Sequence, residues 1–213
     1  MSSILLNPCV MQMNDHNTRV VFFDVGGVLL HYDRDLVCGA IADTFGLPLE
    51  HLSEWFFSWL GTLRTGGALR DHLSAFNRFS GLLIDDPACL YTPLTAGLRR
   101  NELTIAFIKF LLDRSVQLGV ISNTNAFHEK WMQENVPELQ RVKTRVYSFN
   151  TGIAKPDPAI FQFALNEAGC GPSDALFVDD EVEFAATAAC LGIVSVVYRG
   201  ERSLAAIRKF LNI

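Results

Sequence analysis

Five short apolar runs recur along this sequence, and helical patterns separate the later ones. Each run is rich in β-branched and aromatic side chains, as buried strands are. The runs occupy residues 19–25, 119–122, 145–149, 175–178 and 193–198. Strands that are apolar on both faces and alternate with helices form a parallel sheet covered by helices on both sides. The sequence therefore predicts an α/β fold built on a doubly wound, five-stranded parallel sheet.

Three patterns with apolar residues every three or four positions predict the helices of this layer. The first extends from Leu103 to Leu118 with a gap near its end, the second covers 160–168 and the third covers 203–211. Pro156 and Pro158 stand just before the second pattern, and proline is well tolerated at a helix start.

The interval between the first two predicted strands is about 90 residues long, far more than one crossover helix needs. It carries helical patterns at 36–45, 49–60 and 69–79. We therefore expect a helical cap over 35–95, inserted into a core formed by 19–34 and 96–213, with 1–18 as a flexible leader. Aromatic residues are dense in this interval and suit either packing within the cap or contact with a substrate. They are Trp55, Phe56, Phe57, Trp59, Phe76 and Phe79.

Composition argues against several classes of protein. The formal net charge is -5, without the basic surplus of nucleic-acid-binding proteins. No run approaches the roughly 20 apolar residues that cross a bilayer. The five cysteines are scattered without a CxxC pair, and no export signal is present. Both features predict a cytoplasmic protein with reduced thiols. No pattern indicates the oligomeric state.

Carboxylates stand at the carboxyl ends of two of the predicted strands. Asp24 ends the first strand and is followed by Gly26 and Gly27, which allow a sharp turn and a close approach to a ligand. Asp179 and Asp180 follow the fourth strand. Two adjacent carboxylates repel each other unless a cation or hydrogen bonds compensate, and oxygen ligands of this kind suit Mg²⁺. Capping of the helix near residue 182 explains the acidic pair equally well.

Two further segments could bind an anion. Ser122 and Asn123 follow the second strand, where a hydroxyl and free backbone N–H groups suit a phosphate oxygen or simply cap the next helix. Lys155 stands in an AKPDP segment stiffened by two prolines. It could neutralise a phosphoryl group, or it could be a solvated surface charge.

Four segments in this order resemble the motifs of the haloacid-dehalogenase-like (HAD) hydrolase superfamily. They are FDVGGVL at 23–29, ISNTN at 121–125, KPDP at 155–158 and FVDD at 177–180. The resemblance covers about residues 19–213 and implies a Rossmann-like core with a helical cap. Within the superfamily, the motifs are similar to the branch of sugar-phosphate phosphatases that includes a bacterial glucose-1-phosphate phosphatase. They are also similar to the N-terminal phosphatase domain of soluble epoxide hydrolases.

The resemblance implies a Mg²⁺-dependent phosphatase that acts on a small phosphorylated metabolite. Asp24 would be the nucleophile and would form an aspartyl-phosphate. Asp24, the carbonyl of Gly26 and Asp180 would hold Mg²⁺, with Asp179 ligating it or orienting one of its waters. By the same resemblance, Ser122 and the backbone N–H of Asn123 would bind the phosphoryl oxygens. Lys155 would neutralise charge on Asp24 and on the phosphoryl group.

Position 26 departs from the pattern of most phosphatases of the superfamily, which carry there an aspartate that protonates the leaving oxygen. Here it is Gly26, and general acid–base help is worth about 10²–10⁴-fold. A substitute acid could come from His31, Asp33, Asp35 or His72. Alternatively, the substrate could have a good leaving group, or activity could be low or absent.

Two other functions compete with the phosphatase. A 2-haloacid dehalogenase also lacks the second aspartate, but its metal-free site would gain nothing from the pair Asp179 and Asp180. A binding or regulatory protein that keeps the fold would fit Gly26.

Overall fold

Five parallel strands form one sheet in the computed structural model, which describes residues 19–52, 55–56 and 69–213. The strands of this sheet are β1 (Val20–Phe23), β4 (Gln117–Ser122), β5 (Thr144–Tyr147), β6 (Ala175–Asp179) and β7 (Val194–Val197). Their spatial order is β5-β4-β1-β6-β7. All five correspond to the predicted apolar runs, and the predicted fold class is confirmed. A separate antiparallel pair consists of β2 (Leu30–Tyr32) and β3 (Leu98–Arg100).

In the described part of the chain, most helices lie in the segments that connect one strand to the next. They are α1 (Arg34–Phe45), α2 (Leu69–Ser80), α3 (Tyr91–Thr95), α4 (Glu102–Leu112), α5 (Ala126–Asn135), α6 (Ser148–Thr151), α7 (Pro158–Ala168), α8 (Val182–Cys190) and α9 (Glu201–Leu211). Short 3₁₀ turns cover Pro87–Leu90, Pro137–Arg141 and Pro172–Asp174. Within the described part of the chain, no helix combines the length and the apolar character needed to span a membrane.

The central strand β1 is buried on both faces. Because side chains alternate along a strand, its four residues divide between two apolar clusters. Val21 and Phe23 belong to the cluster that includes residues of α4 and α9, and Val20 and Phe22 to the cluster that includes residues of α7 and α8. Helices therefore cover both faces of the sheet, as a doubly wound fold requires.

Several predicted boundaries are wrong; the first strand, for example, ends at Phe23 rather than at Val25. The helical pattern from Leu103 to Leu118 joins two elements, since α4 ends at Leu112 and β4 begins at Gln117. Ser115 between them has a φ of 59°, a left-handed conformation that ends a helix. The third predicted strand, 145–149, is also too long, because residues 148 and 149 belong to α6. Apolar spacing cannot separate a helix from a strand that follows it after a few residues.

The inserted segment has an apolar core of its own. Its buried members come from α1, α2 and the segment 87–95, and Leu52, Phe56 and, from α5, Phe127 join them. Trp55 stacks on Phe79 with ring centroids 4.0 Å apart, and Phe56 is fully buried. Packing therefore accounts for these aromatic side chains. Phe57, Trp59, half of the pattern at 49–60 and the leader at 1–18 lie outside the described residues. The domain boundaries stay a prediction.

Candidate active site

Three carboxylates meet at the carboxyl ends of β1 and β6. The backbone N–H of Asp24 donates to the carbonyl of Val178 at 2.8 Å, so the ladder between the two strands continues through Asp24. One carboxylate oxygen from each of Asp24, Asp179 and Asp180 lies within 4.8 Å of the others. We call these three residues the acidic cluster. It lies where the strand order reverses, the place at which open α/β sheets bind ligands.

Lys155 lies between two members of the acidic cluster. Its Nζ is 2.7 Å from Oδ1 of Asp24 and 2.5 Å from Oδ2 of Asp179. The lysine side chain is only 1% exposed, so the ammonium is not a solvated surface charge. The rings of Phe177 and Phe184 lie 5.3 and 5.0 Å from the same nitrogen. These contacts fix the position of one positive charge beside the carboxylates.

Asn123 holds the backbone of Lys155 through two reciprocal hydrogen bonds. The Asn123 amide donates from Nδ2 to the Lys155 carbonyl, and the Lys155 N–H donates to Oδ1 of Asn123, both at 2.8 Å. Only an amide side chain can donate and accept in this way. The sequence predicted a role for the backbone of Asn123 but not this clamp, because nothing in the linear pattern links residues 32 positions apart. Ser122 ends β4 beside it and is 2% exposed.

The two glycines after Asp24 have different surroundings. Gly27 has a φ of 74°, and a Cβ built there would lie 2.1 Å from Oδ2 of Asp180. Only glycine therefore leaves room for the Asp180 carboxylate. Gly26 has no heavy atom within 4 Å of a Cβ built on it. A Cβ at position 26 would consequently project into open space.

The charges of the acidic cluster are incompletely balanced. Burial, followed by the charge of Asp24, raises the pKa of Asp179 to about 6, although Lys155 acts in the opposite direction. The same two causes raise the pKa of Asp180. At neutral pH, three carboxylates and one ammonium leave two negative charges. A divalent cation with a preference for oxygen ligands would balance them, so the residues fit Mg²⁺.

A cavity of about 460 Å³ opens above the acidic cluster, a size typical of small-molecule sites. Asp24, Asp180 and Lys155 lie on its wall, together with Asn123 and the two glycines. Four further residues line the cavity, and of these the sequence had suggested only His31 for the site. They are His31, Tyr32, Glu181 and Phe184. The cavity thus offers a charged floor and a mixed polar and aromatic wall.

A buried polar network anchors the loop that follows Asp24. Asn101 is 7% exposed and donates from Nδ2 to the carbonyl of Val28 at 2.8 Å and to the Tyr198 hydroxyl at 3.0 Å. Its backbone N–H donates to the carbonyl of Leu29 at 2.9 Å. The Tyr198 hydroxyl also meets that of Thr104 at 2.7 Å. This network, which sequence patterns did not reveal, fixes the loop relative to the sheet.

The four candidates for a substitute acid occupy different places. His31 lines the cavity. Asp33 caps α1, where its Oδ1 accepts from the N–H of Leu36 at 3.2 Å. Asp35 is 91% exposed, and His72 is buried in α2. Of these four, only His31 lies on the wall of the cavity.

Open α/β sheets bind ligands at the switch point, so the cavity with its clustered carboxylates and buried lysine is a candidate active site. The chain belongs to the haloacid dehalogenase-like hydrolases, since the sequence model of that family matches residues 18–192. The predicted superfamily and the prediction of a hydrolase are confirmed.

Three known proteins show how far the similarity extends. D-ribitol-5-phosphate phosphatase of Bacteroides thetaiotaomicron is 28% identical over 176 residues, which are 75% of this chain and 82% of that protein. Acyl-CoA dehydrogenase family member 10 of Mus musculus is 36% identical over 193 residues, 84% of this chain. The match covers only 18% of the mouse protein, so this chain is similar to a small part of it.

The third is a solved structure, a HAD family enzyme of Bacteroides thetaiotaomicron in complex with magnesium and inorganic phosphate. It superposes with a TM-score of 0.71 over 86% of this chain and 95% of that chain. The two sequences are 21% identical. At this identity, the likeness establishes the shared fold.

Proposed function

We propose that this protein is a Mg²⁺-dependent phosphatase that hydrolyses a small phosphorylated metabolite through an aspartyl-phosphate on Asp24. The observation that carries the proposal is the contact of Lys155 with both Asp24 and Asp179, beside Asp180, on the floor of a cavity. A carboxylate that is held next to an ammonium can approach a phosphoryl group without prohibitive charge repulsion. Phosphoryl transfer depends mainly on such positioning and charge compensation.

Each residue has a defined role in this proposal. Asp24 attacks phosphorus in line with the leaving oxygen, and Lys155 neutralises charge on Asp24 and on the phosphoryl group. Ser122 and the backbone N–H of Asn123 hold phosphoryl oxygens. The reciprocal bonds from Asn123 to the Lys155 backbone support these roles, because they keep the lysine and the phosphate-binding turn at a fixed separation.

Mg²⁺ would be held by the Asp24 carboxylate, the carbonyl of Gly26 and Asp180, and it would neutralise charge that develops on the phosphoryl oxygens. Asp179 is already engaged through both oxygens. Its Oδ2 contacts Lys155, and its Oδ1 accepts from the N–H of Glu181 at 2.8 Å. Asp179 would therefore position Lys155 and orient a water on the ion, whereas the half-buried Asp180 would supply a direct oxygen ligand.

The substrate class that we infer is a phosphorylated sugar or sugar alcohol. The relative that acts on D-ribitol 5-phosphate, to judge by its name, supports this class. The cavity volume of about 460 Å³ suits a molecule of that size. Residues 35–95 would form a cap that selects the substrate, and 19–34 with 96–213 would form the catalytic core. We also propose that the chain belongs to the branch of the superfamily that contains glucose-1-phosphate phosphatases and the phosphatase domains of epoxide hydrolases.

The two competing functions are less well supported. A haloacid dehalogenase needs no metal, and a third carboxylate in its site would add only repulsion. A binding protein would not need a lysine buried against the candidate nucleophile.

A substrate screen tests the proposed function. Purified protein is assayed for release of inorganic phosphate from p-nitrophenyl phosphate and from a panel of sugar and sugar-alcohol phosphates, with Mg²⁺ or with EDTA. We expect turnover with Mg²⁺ only, and higher kcat/KM for sugar or sugar-alcohol phosphates than for other esters. Halide release from 2-haloacids in EDTA would favour the dehalogenase instead. Mg²⁺ binding without turnover of any ester would favour a binding protein.

Mg²⁺ should also stabilise the folded protein. At a concentration of 100 times Kd, the ion adds about 2.7 kcal/mol to the free energy of unfolding, or about 5–10 °C in Tm for a chain of this size. Asp180→Asn is expected to abolish this shift, because it removes a charged ligand. Asp35→Asn, which changes an exposed carboxylate outside the cavity, should keep it. Equal shifts in wild type and Asp180→Asn would contradict the assignment of Asp180.

A further inference from the structure

Among the described residues that line the cavity, His31 is the one histidine. We propose that His31 donates the proton that the leaving oxygen needs when Asp24 takes the phosphoryl group. This inference rests on the proposed function and names the acid for the same site.

The leaving oxygen of an alkyl phosphate must acquire a proton, and the other cavity residues are poor donors. Lys155 is held between two carboxylates, and Asp24 and Asp180 are assigned to attack and to the metal. Tyrosine phenols are ordinarily much weaker acids than imidazolium, and exposed carboxylates have lost their protons at neutral pH. Histidine is the side chain whose ordinary titration range lies closest to neutral pH, so it can both give and accept a proton.

The fold directs His31 outwards and ties it to the loop that carries Asp24. His31 is the middle residue of β2 and pairs with Arg99 of β3. Since side chains alternate along a strand, Leu30 is fully buried whereas His31 is exposed towards the cavity. The turn between Asp24 and β2 is closed by two backbone hydrogen bonds, both 2.8 Å. They run from the N–H of Gly27 to the carbonyl of Leu30 and from the N–H of Leu30 to the carbonyl of Val25. Such a turn holds the imidazole and the nucleophile on one rigid segment.

The chemical steps balance with an imidazolium as the starting form. A carboxylate oxygen of Asp24 bonds to phosphorus, the ester P–O bond breaks, and its electron pair goes to the leaving oxygen, which takes the proton of His31. The products are the alcohol, the aspartyl-phosphate and neutral imidazole. Water then attacks phosphorus and gives a proton to His31. The bond from phosphorus to Asp24 breaks and returns its electron pair to the carboxylate, which releases inorganic phosphate.

The decisive test compares leaving groups in His31→Gln. The ratio kcat/KM reports only the steps up to release of the alcohol. We expect His31→Gln to lower kcat/KM by about 10²-fold for an alkyl ester such as a sugar-alcohol phosphate. For p-nitrophenyl phosphate, whose phenolate leaves without a proton, kcat/KM should change less than about threefold. His51→Gln, which removes an exposed histidine outside the cavity, is the matched control and should change neither value. An equal loss on both esters, or no loss on the alkyl ester, would overturn the proposal.

A second variant supplies the acid from a new position. Because Gly26 has space for a side chain, Gly26→Asp in the His31→Gln background should restore hydrolysis of the alkyl ester at least tenfold. Gly26→Asn has the same size but no acidic proton, and it should restore nothing. Equal recovery in both variants, or in neither, would overturn the role of His31. If wild type fails to hydrolyse p-nitrophenyl phosphate with Mg²⁺, the proposed function itself fails. The two failures are therefore distinguishable.

Discussion

Replacement of Asp24 by asparagine is expected to lower Mg²⁺-dependent hydrolysis of p-nitrophenyl phosphate by at least about 10³-fold. Asparagine keeps the size of the side chain and can still meet Lys155, but its amide cannot form an acyl-phosphate. The loss should appear in kcat and kcat/KM alike, since the nucleophile acts only in the chemical step. Steady-state assays with saturating Mg²⁺ measure it directly.

The control for this variant is Asp35→Asn. Asp35 is 91% exposed and its ion pair with Arg34 is 3.6 Å long, so its loss should leave the rate within about twofold of wild type. Circular dichroism should show the same secondary structure for both variants. A folded Asp24→Asn protein that retains most of the activity would rule out Asp24 as the nucleophile.

Replacement of Lys155 by methionine should reduce both activity and stability. The rate is expected to fall by about 10²–10³-fold, because the phosphoryl group loses a preorganised positive charge. The lysine, Asp24 and Asp179 side chains are 1%, 10% and 0% exposed, so removal of the ammonium leaves buried carboxylates facing one another. Loss of one partner of a buried ion pair costs about 3–5 kcal/mol. Urea unfolding in Mg²⁺-free buffer measures this loss.

A second substitution separates the electrostatic effect from lost packing. In the Lys155→Met background, Asp179→Asn removes one of the repelling charges and should recover part of the stability but none of the activity. Lys143→Met, which changes an exposed lysine, should have the stability of wild type within about 0.5 kcal/mol. If Lys155→Met unfolds at the same urea concentration as wild type, the ammonium does not stabilise the acidic cluster.

Much of the sheet and of the acidic cluster follows from local sequence features. Apolar runs located all five strands of the sheet, and the carboxylates lie at the carboxyl ends of two of those strands. The ends of parallel strands share one edge of a sheet, so Asp24 and Asp179 had to be neighbours if β1 and β6 were adjacent. The pairing of Val20 with Ala175 and of Phe23 with Val178 provides this adjacency.

The remaining features depend on contacts that no local pattern encodes. The clamp between Asn123 and Lys155 consists of two hydrogen bonds, and the anchoring of Val28 by Asn101 of one, all between distant segments. The strands β2 and β3 have three residues each, too few for a visible alternation. For that reason the sequence named His31 among four candidates but could not place it at the cavity.

The central claim is that Asp24 carries the phosphoryl group during turnover, and trapping of the acyl-phosphate tests it most directly. Protein mixed with substrate and Mg²⁺ is quenched within one turnover and treated with borohydride, which reduces an aspartyl-phosphate to homoserine. Peptide mass spectrometry then locates the modified residue. We predict homoserine at position 24, dependent on both substrate and Mg²⁺. Efficient turnover with an unmodified Asp24, or with the phosphoryl group on another residue, would contradict the mechanism.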